Sequence, residues 1–240
     1  MKILAVDSSG LVASVAVVED NELLAEYTMN YKKTHSQTLL PMLEEVKKMI
    51  DLDLESLDYI AVAAGPGSFT GLRIGSATVK GLGLALNKPV IEVPTLEGLA
   101  YNLCGVGGFV CPLMDARRNQ VYTGIYRFVQ QGTEWKLESV VEQCATDIAD
   151  IIEECNRLGE AVTFLGDGVP VYKERIAELC KVPYTFAPAN MNRQRAASVA
   201  TLGKQYAAEG KVVSAAEHAP EYLRKSQAER EREEANGSNS

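Results

Sequence analysis

The sequence predicts an α/β protein made of two copies of one strand-and-helix pattern, with a cleft between the copies. The order of strand-like and helix-like segments in the first hundred residues starts again near Phe109. In each copy the first apolar strand ends at an aspartate, Asp7 in the first and Asp115 in the second. The 240 residues are 46% hydrophobic, which is enough to fill the cores of such a protein.

The first copy begins with a predicted antiparallel meander. Two polar segments with strong turn chemistry, Ser8–Gly10 and Glu19–Asn21, separate three short strands. An amphipathic helix follows over about Ser36–Ile50, and Pro41 is expected in or near its first turn. The predicted strands are Ile3–Asp7, Ala13–Val18, Glu22–Met29, Tyr59–Ala64 and Val90–Val93. Two more helices are predicted, one that ends near Leu86 and one over Leu96–Leu103.

The second copy repeats this order. Its predicted strands are Phe109–Met114, Gln120–Phe128, Glu134–Val141 and Val162–Leu165, and its helices are Thr146–Arg157, Val171–Cys180 and Gln194–Glu209. We expect the two subdomains to span residues 1–105 and 106–226. Residues 227–240 are charged and polar, so we expect a disordered tail there, with partner docking as the alternative.

Charge and composition narrow the class of protein. A net charge of −8 and a pI near 5.0 argue against a protein that binds nucleic acid over its whole surface. The net charge does not exclude a small basic patch, for which Arg117 and Arg118 are candidates. The five cysteines form no Cys-x-x-Cys pair, and the two histidines, His35 and His218, are far apart, so free thiols and no metal site are expected. Asp7 interrupts the N-terminal apolar run and no apolar stretch is long enough to cross a bilayer, which predicts a cytoplasmic location without membrane contact.

A glycine-rich segment, Gly65–Gly75, leads from a buried strand into a helix. It lacks the Lys-Ser/Thr that follows the last glycine of a Walker A loop, and Thr70 stands where a dinucleotide fingerprint has glycine. A phosphate-binding loop and a tight strand-to-helix turn both stay open.

Small residues recur along the helix after this segment, at spacings of three and four: Gly71, Gly75, Thr78, Gly81 and Ala85. Glycine inside a helix costs about 1 kcal/mol relative to alanine, so close packing against this stripe is expected. The neighbour can be a partner helix or the chain's own sheet, and the spacing alone does not choose between them.

Several segments together carry a resemblance to a known family. They are Ile3–Ser9, Thr34–Ser36 with Leu39–Pro41, Gly65–Gly75, Pro94–Leu96 and Met114–Arg117. The duplicated halves resemble the actin, Hsp70 and sugar-kinase superfamily, and these segments resemble its TsaB (YeaZ) family over about residues 1–224. The resemblance implies a duplicated actin-like ATPase (ribonuclease H-like) fold, with two subdomains of mixed sheets flanked by helices.

The resemblance also implies a function. It is that of a scaffold without catalytic activity, a subunit of the complex that makes threonylcarbamoyladenosine beside the tRNA anticodon. The expected partners are the catalytic paralogue TsaD, the ATPase TsaE and, when the chain is alone, a second copy, with tRNA reached indirectly through the complex. No cofactor of its own is expected, since nucleotide would be bound by partner proteins.

The residues expected at the partner interface lie on the first helix, in the glycine segment and on the second helix: His35, Leu39, Met42, Leu43, Gly67, Ser68, Phe69, Thr70, Gly71, Arg73, Ile74, Gly75 and Thr78. The alternative is a small ATP-binding kinase or ATPase of the same superfamily, with phosphate at Ser8, Ser9 and Gly10 and with Asp7 handling the metal. That phosphate turn is incomplete, and the corresponding segment after Asp115 has no glycine. We therefore expect Asp7 and Asp115 to cap turns.

Overall fold

Two five-stranded mixed sheets form the core of the computed structural model, which describes residues 1–31 and 34–224. The strands of sheet A are β1 (Lys2–Asp7), β2 (Ala13–Glu19), β3 (Glu22–Met29), β4 (Tyr59–Gly65) and β5 (Val90–Pro94), in the order β3-β2-β1-β4-β5. Those of sheet B are β6 (Phe109–Asp115), β7 (Gln120–Gln131), β8 (Glu134–Asp147), β9 (Val162–Leu165) and β10 (Tyr184–Phe186), in the order β10-β9-β6-β7-β8. Counted from the first strand of each half, the two orders are the same, which confirms the predicted duplicated α/β fold.

The register shows why β1 can be the central strand of sheet A. Ala5 lies opposite Ala16 in the antiparallel neighbour β2 and beside Ala61 in the parallel neighbour β4. All three side chains are buried. These small side chains let a helix approach this face of the sheet closely.

Within the described residues, six α-helices cover the sheets: α1 (His35–Met49), α2 (Phe69–Leu86), α3 (Thr95–Ala100), α4 (Ile148–Leu158), α5 (Gly168–Leu179) and α6 (Ala196–Ala208). Pro41 is the seventh residue of α1 and so lies in its second turn, beyond the predicted first turn. Helix α4 starts two residues after the predicted Thr146, because the Asp147 carboxylate accepts a hydrogen bond from Ala149 N and caps the helix there. Strand β10 was not predicted, and the predicted tail lies outside the described residues.

The helices do not pack only within their own half. Helices α1 and α2 cover one face of sheet A, and α6, from the second half, covers the other. Helices α4 and α5 cover one face of sheet B, and α3, from the first half, covers the other. Packing therefore crosses the predicted division at residue 105.

After α6 the chain returns to the first half as a C-terminal strap, residues 211–224. Val213 pairs with Val90 at the edge of sheet A, and Glu221 N donates to Ala64 O at 2.7 Å. Between them, buried His218 places Nδ1 2.6 Å from Glu92 Oε1. The strap is thus bound to sheet A along its length. None of the helices in the described ranges has the length and apolar character needed to cross a membrane.

Candidate functional site

A cleft of about 710 Å³ lies between the two halves. The segments that converge on it are the turn after β1, the N-terminal ends of α1, α2 and α5, the β6–β7 turn and the end of the strap. The lining residues are Ser9, Gly10, Leu11, Thr34, His35, Ser36, Gly67, Ser68, Phe69, Thr70, Gly71, Ile74, Met114, Asp115, Ala116, Arg117, Tyr122, Asp167 and Arg224.

The glycine segment is a tight strand-to-helix turn. Strand β4 ends at Gly65 and α2 begins at Phe69, so only three residues connect them. Ser68 is the N-cap of α2, and its Oγ accepts a hydrogen bond from Gly71 N at 3.3 Å. Gly71 and Gly75 consequently lie inside the helix.

These glycines are required by contact with the turn after β1. A Cβ added at Gly71 would lie 2.0 Å from Ser8 O, and one at Gly75 would lie 2.5 Å from Ser8 Oγ. The contact is tied by two hydrogen bonds, from Ser8 Oγ to Gly71 O at 2.9 Å and from Ser68 N to Ser9 O at 2.7 Å. The sequence left open whether the small-residue stripe packs on a partner helix or on this chain itself. Gly71 and Gly75 pack on this chain, at the turn that follows β1 of sheet A.

The polar side chains of the turn after β1 are hydrogen-bonded within the chain. Asp7 is buried and accepts hydrogen bonds from Ser9 N at 2.9 Å and Ser9 Oγ at 2.6 Å. The Ser8 hydroxyl donates to α2, so both serine hydroxyls are used within the chain, and the start of α2 lies directly on the turn. Burial raises the pKa of Asp7 to about 6, against the opposing effect of the Ser9 hydrogen bonds. Asp7 therefore caps a turn, as predicted from its place in the sequence.

The corresponding turn of the second half is also capped by its aspartate. Asp115 Oδ1 accepts hydrogen bonds from Arg117 N at 2.9 Å and from Tyr172 OH at 3.1 Å. Arg117, Arg118 and Asn119 all have left-handed backbone conformations, with φ of 64°, 56° and 58°. The two arginine side chains are exposed beside the cleft.

The cleft also contains a second carboxyl group close to Asp115. Asp167 Oδ1 accepts a hydrogen bond from Asp115 N at 3.2 Å, and burial raises the pKa of Asp167. Asp115 is exposed to the cleft. The two acids face the N-terminal ends of α1 and α2 across it.

The two histidines are far apart in the fold. His35 lines the cleft, where its Nε2 donates to Gly10 O at 2.8 Å, whereas His218 is buried in the strap. Over residues 1–31 and 34–224, no three His, Cys, Asp or Glu side chains are grouped so that they could hold a metal ion.

Burial corrects part of the predicted partner interface. Leu39, Met42 and Leu43 are 1%, 3% and 7% exposed, because this face of α1 packs on sheet A. Gly71 and Gly75 are buried against Ser8. These five residues are buried within the chain, although Gly71 also lines the cleft. The others are half-buried (His35, Gly67, Phe69, Ile74, Thr78) or exposed (Ser68, Thr70, Arg73).

Comparison with known proteins identifies the family. The family model described as TsaD, tRNA N6-adenosine threonylcarbamoyltransferase, matches residues 22–232. The tRNA threonylcarbamoyladenosine biosynthesis protein TsaB of Bacillus subtilis is 34% identical over 229 residues, which are 95% of this chain and 96% of that protein. This chain belongs to the TsaB (YeaZ) family. The Escherichia coli TsaB is 32% identical over 93% of this chain and 95% of its own length.

A solved structure agrees with this assignment. YeaZ from Pseudomonas aeruginosa superposes with a TM-score of 0.75 and 28% identity, over 92% of this chain and 99% of that one. The resemblance drawn from the sequence is thereby confirmed. This TsaB family member has the duplicated fold that the resemblance implied, with two mixed sheets flanked by helices.

Its α2 helix has an apolar solvent-facing side. Ala77, Gly81, Leu84 and Ala85 are all exposed there, and Leu84 is 59% exposed. A Cβ added at Gly81 would meet nothing within 4 Å. Sequence reasoning included Gly81 and Ala85 in one stripe with Gly71 and Gly75. In the structure Gly71 and Gly75 are buried, whereas Gly81 and Ala85 are exposed.

Proposed function

We propose that this TsaB family member is a subunit, without catalytic activity of its own, of the assembly that makes threonylcarbamoyladenosine in tRNA. Its curated relatives carry that biosynthetic role in their names, and the similarity extends over nearly the whole chain. The modified nucleoside is the adenosine beside the anticodon. The chain's part is to bind and support a catalytic TsaD-type paralogue, which acts together with a TsaE-type ATPase.

The exposed apolar side of α2 is the observation that carries the proposed contact. Glycine in a helix interior costs about 1 kcal/mol relative to alanine, and nothing in the described part of the chain requires glycine at position 81. A partner helix packed closely against Gly81 would account for it, with Leu84 supplying apolar area. In a paralogue of the same fold, the helix equivalent to α2 can pack on this surface. When the paralogue is missing, α2 of a second copy of this chain can do the same.

Replacing Gly81 by leucine tests this contact. We expect Gly81→Leu to abolish co-elution with the TsaD-type subunit in gel filtration, because the leucine side chain would hold the helices apart. The melting temperature of this variant should be at least that of the wild type, because a Cβ at position 81 meets no described atom within 4 Å. Ala177→Leu, at an exposed position of α5, is the matched control and should co-elute normally. Normal co-elution of Gly81→Leu would show that the partner binds elsewhere.

A titration with ATP and magnesium tests the absence of nucleotide binding by the chain alone. We expect a flat calorimetric trace, because the serine hydroxyls after β1 donate within the chain and α2 lies against that turn. The assembled complex should bind ATP in the same buffer and serves as the control. Stoichiometric binding to the isolated chain would favour the kinase or ATPase alternative instead.

A further inference from the structure

Four arginines at the edge of the cleft form no ion pair with any acidic residue of the described ranges, 1–31 and 34–224. In the described part of the chain, the ion pairs formed by arginine involve other residues: Arg127, Arg157, Arg175 and Arg195. Arg193 donates to the backbone oxygens of Gly166 and Asn192. The other four arginines that the structure describes are Arg73, Arg117, Arg118 and Arg224, which we call the rim arginines. In a chain with a net charge of −8, unpaired cations gathered at one place call for an explanation.

The end of the strap brings the rim arginines together. Tyr222 lies flat on Phe69, with ring centroids 4.5 Å apart and an angle of 4° between the planes, and Arg73 Nε donates to Tyr222 OH at 3.4 Å. Two residues further on, Arg224 Nη1 donates to Ala116 O at 3.0 Å, directly before Arg117-Arg118. Phe69, Arg117 and Arg224 all line the cleft, so the strap connects the two sides of its mouth.

The acidic groups nearby do not neutralise the rim arginines. Asp115 accepts hydrogen bonds from Arg117 N and Tyr172 OH, and Asp167 accepts one from Asp115 N. Glu221 in the strap accepts one from Gln143 Nε2 at 2.9 Å. All these donors are uncharged, so none of these carboxylates is paired with a rim arginine. Arg73 and Arg224 each use one N–H group within the chain, and a guanidinium has five, so N–H groups remain that can bind phosphate.

We propose that this rim binds RNA directly, with the rim arginines on phosphates and a base stacked on Tyr222. The tyrosine is 38% exposed, and its ring is held flat by Phe69 beneath it. Arginine clusters beside an aromatic platform are the pattern by which proteins bind single-stranded nucleic acid. An acidic protein would use the arginines but has no need of the flat ring, so RNA is favoured. The inference rests on the proposed function, in which tRNA is the substrate of the assembly. It replaces the indirect contact with tRNA that was expected from the sequence.

Charge reversal at the β6–β7 turn tests the phosphate contacts. The probe is a fluorescently labelled, unmodified tRNA transcript that carries the target adenosine, and the readout is anisotropy with the full-length chain at several salt concentrations. We expect Arg117→Glu/Arg118→Glu to weaken binding about tenfold or more and to lower the slope of log K against log salt by about two. The control is Arg157→Glu/Arg175→Glu, which has the same net charge as the rim variant but carries its substitutions on α4 and α5. It should bind tRNA as the wild type does.

The stacking contact is tested separately. Tyr222→Leu keeps an apolar side chain on Phe69 but removes the flat ring, and we expect RNA binding to weaken about fivefold or more with the salt slope unchanged. Equal affinity of the wild type and the Arg117→Glu/Arg118→Glu variant would overturn the proposal. So would a loss of co-elution with the TsaD-type subunit while tRNA affinity stays the same, which would make the rim a protein contact. Gly81→Leu should bind tRNA normally on its own, so a failure of the proposed function is distinguishable from a failure at the rim.

Discussion

Replacement of Gly71 by valine is expected to lower the free energy of unfolding by about 3 kcal/mol or more. The new Cβ would lie 2.0 Å from Ser8 O, a backbone atom that cannot rotate away. The turn containing Ser8 is itself fixed by hydrogen bonds on both sides, to Gly71 O and within the Asp7 cap. Either β1 or the start of α2 must therefore move, and both belong to the core of sheet A.

Urea unfolding followed by circular dichroism measures this effect. Gly81→Val is the matched control, because it is the same substitution in the same helix with nothing within 4 Å of the new Cβ. Its unfolding midpoint should be at or above that of the wild type. Similar midpoints for the two valine variants would mean that the contact between Gly71 and Ser8 is not as close as described.

Asp7→Asn is expected to be increasingly stabilising as the pH rises. Burial raises the pKa of Asp7 from 3.8 to about 6, so the folded state holds its proton more tightly than the unfolded state does. The stability that this proton confers is fully present below pH 3.8 and is lost as the pH rises through about 6. A shift from 3.8 to about 6 corresponds to about 3 kcal/mol, which the wild type loses over this window and the asparagine variant does not.

The difference between the two proteins is the quantity to measure, since it removes the titration of all other groups. We expect the unfolding free energy of Asp7→Asn minus that of the wild type to grow by about 2 kcal/mol between about pH 4.5 and 7. The asparagine oxygen can still accept the Ser9 hydrogen bonds. Parallel stability curves across this range would show that Asp7 is already ionised in the folded state at low pH.

The sequence was sufficient for most of the fold because its signals are local. Polar turns such as Ser8–Gly10 and the apolar periodicity of α1 depend on neighbouring residues alone. Strand β10 was missed because it is only three residues long, Tyr184–Phe186, and is a strand through its pairing with β9. The limits of β8 were missed for a related reason, since its end at Asp147 is set by pairing with Gln120.

The candidate site was less predictable because it depends on contacts between distant residues. The stripe on α2 was correctly read as a place of close packing, but spacing alone could not tell that Ser8 is the neighbour of Gly71 and Gly75 while Gly81 is open. The rim is a similar case. Arg117 and Arg118 were noticed in the sequence, yet Arg73 and Arg224 join them only through a strap that crosses back over the first half.

The exchange of helices between the halves has a consequence for synthesis on the ribosome. One face of sheet A is covered by α6, Ala196–Ala208, which follows the strands of both sheets in the chain. Until α6 emerges, the nascent first half would expose the apolar face that includes Ile3, Ala61 and Ile91. Productive folding of the first half should therefore wait until the second half has been translated as far as α6, and chaperones that shield apolar nascent chains would find a binding surface on this face.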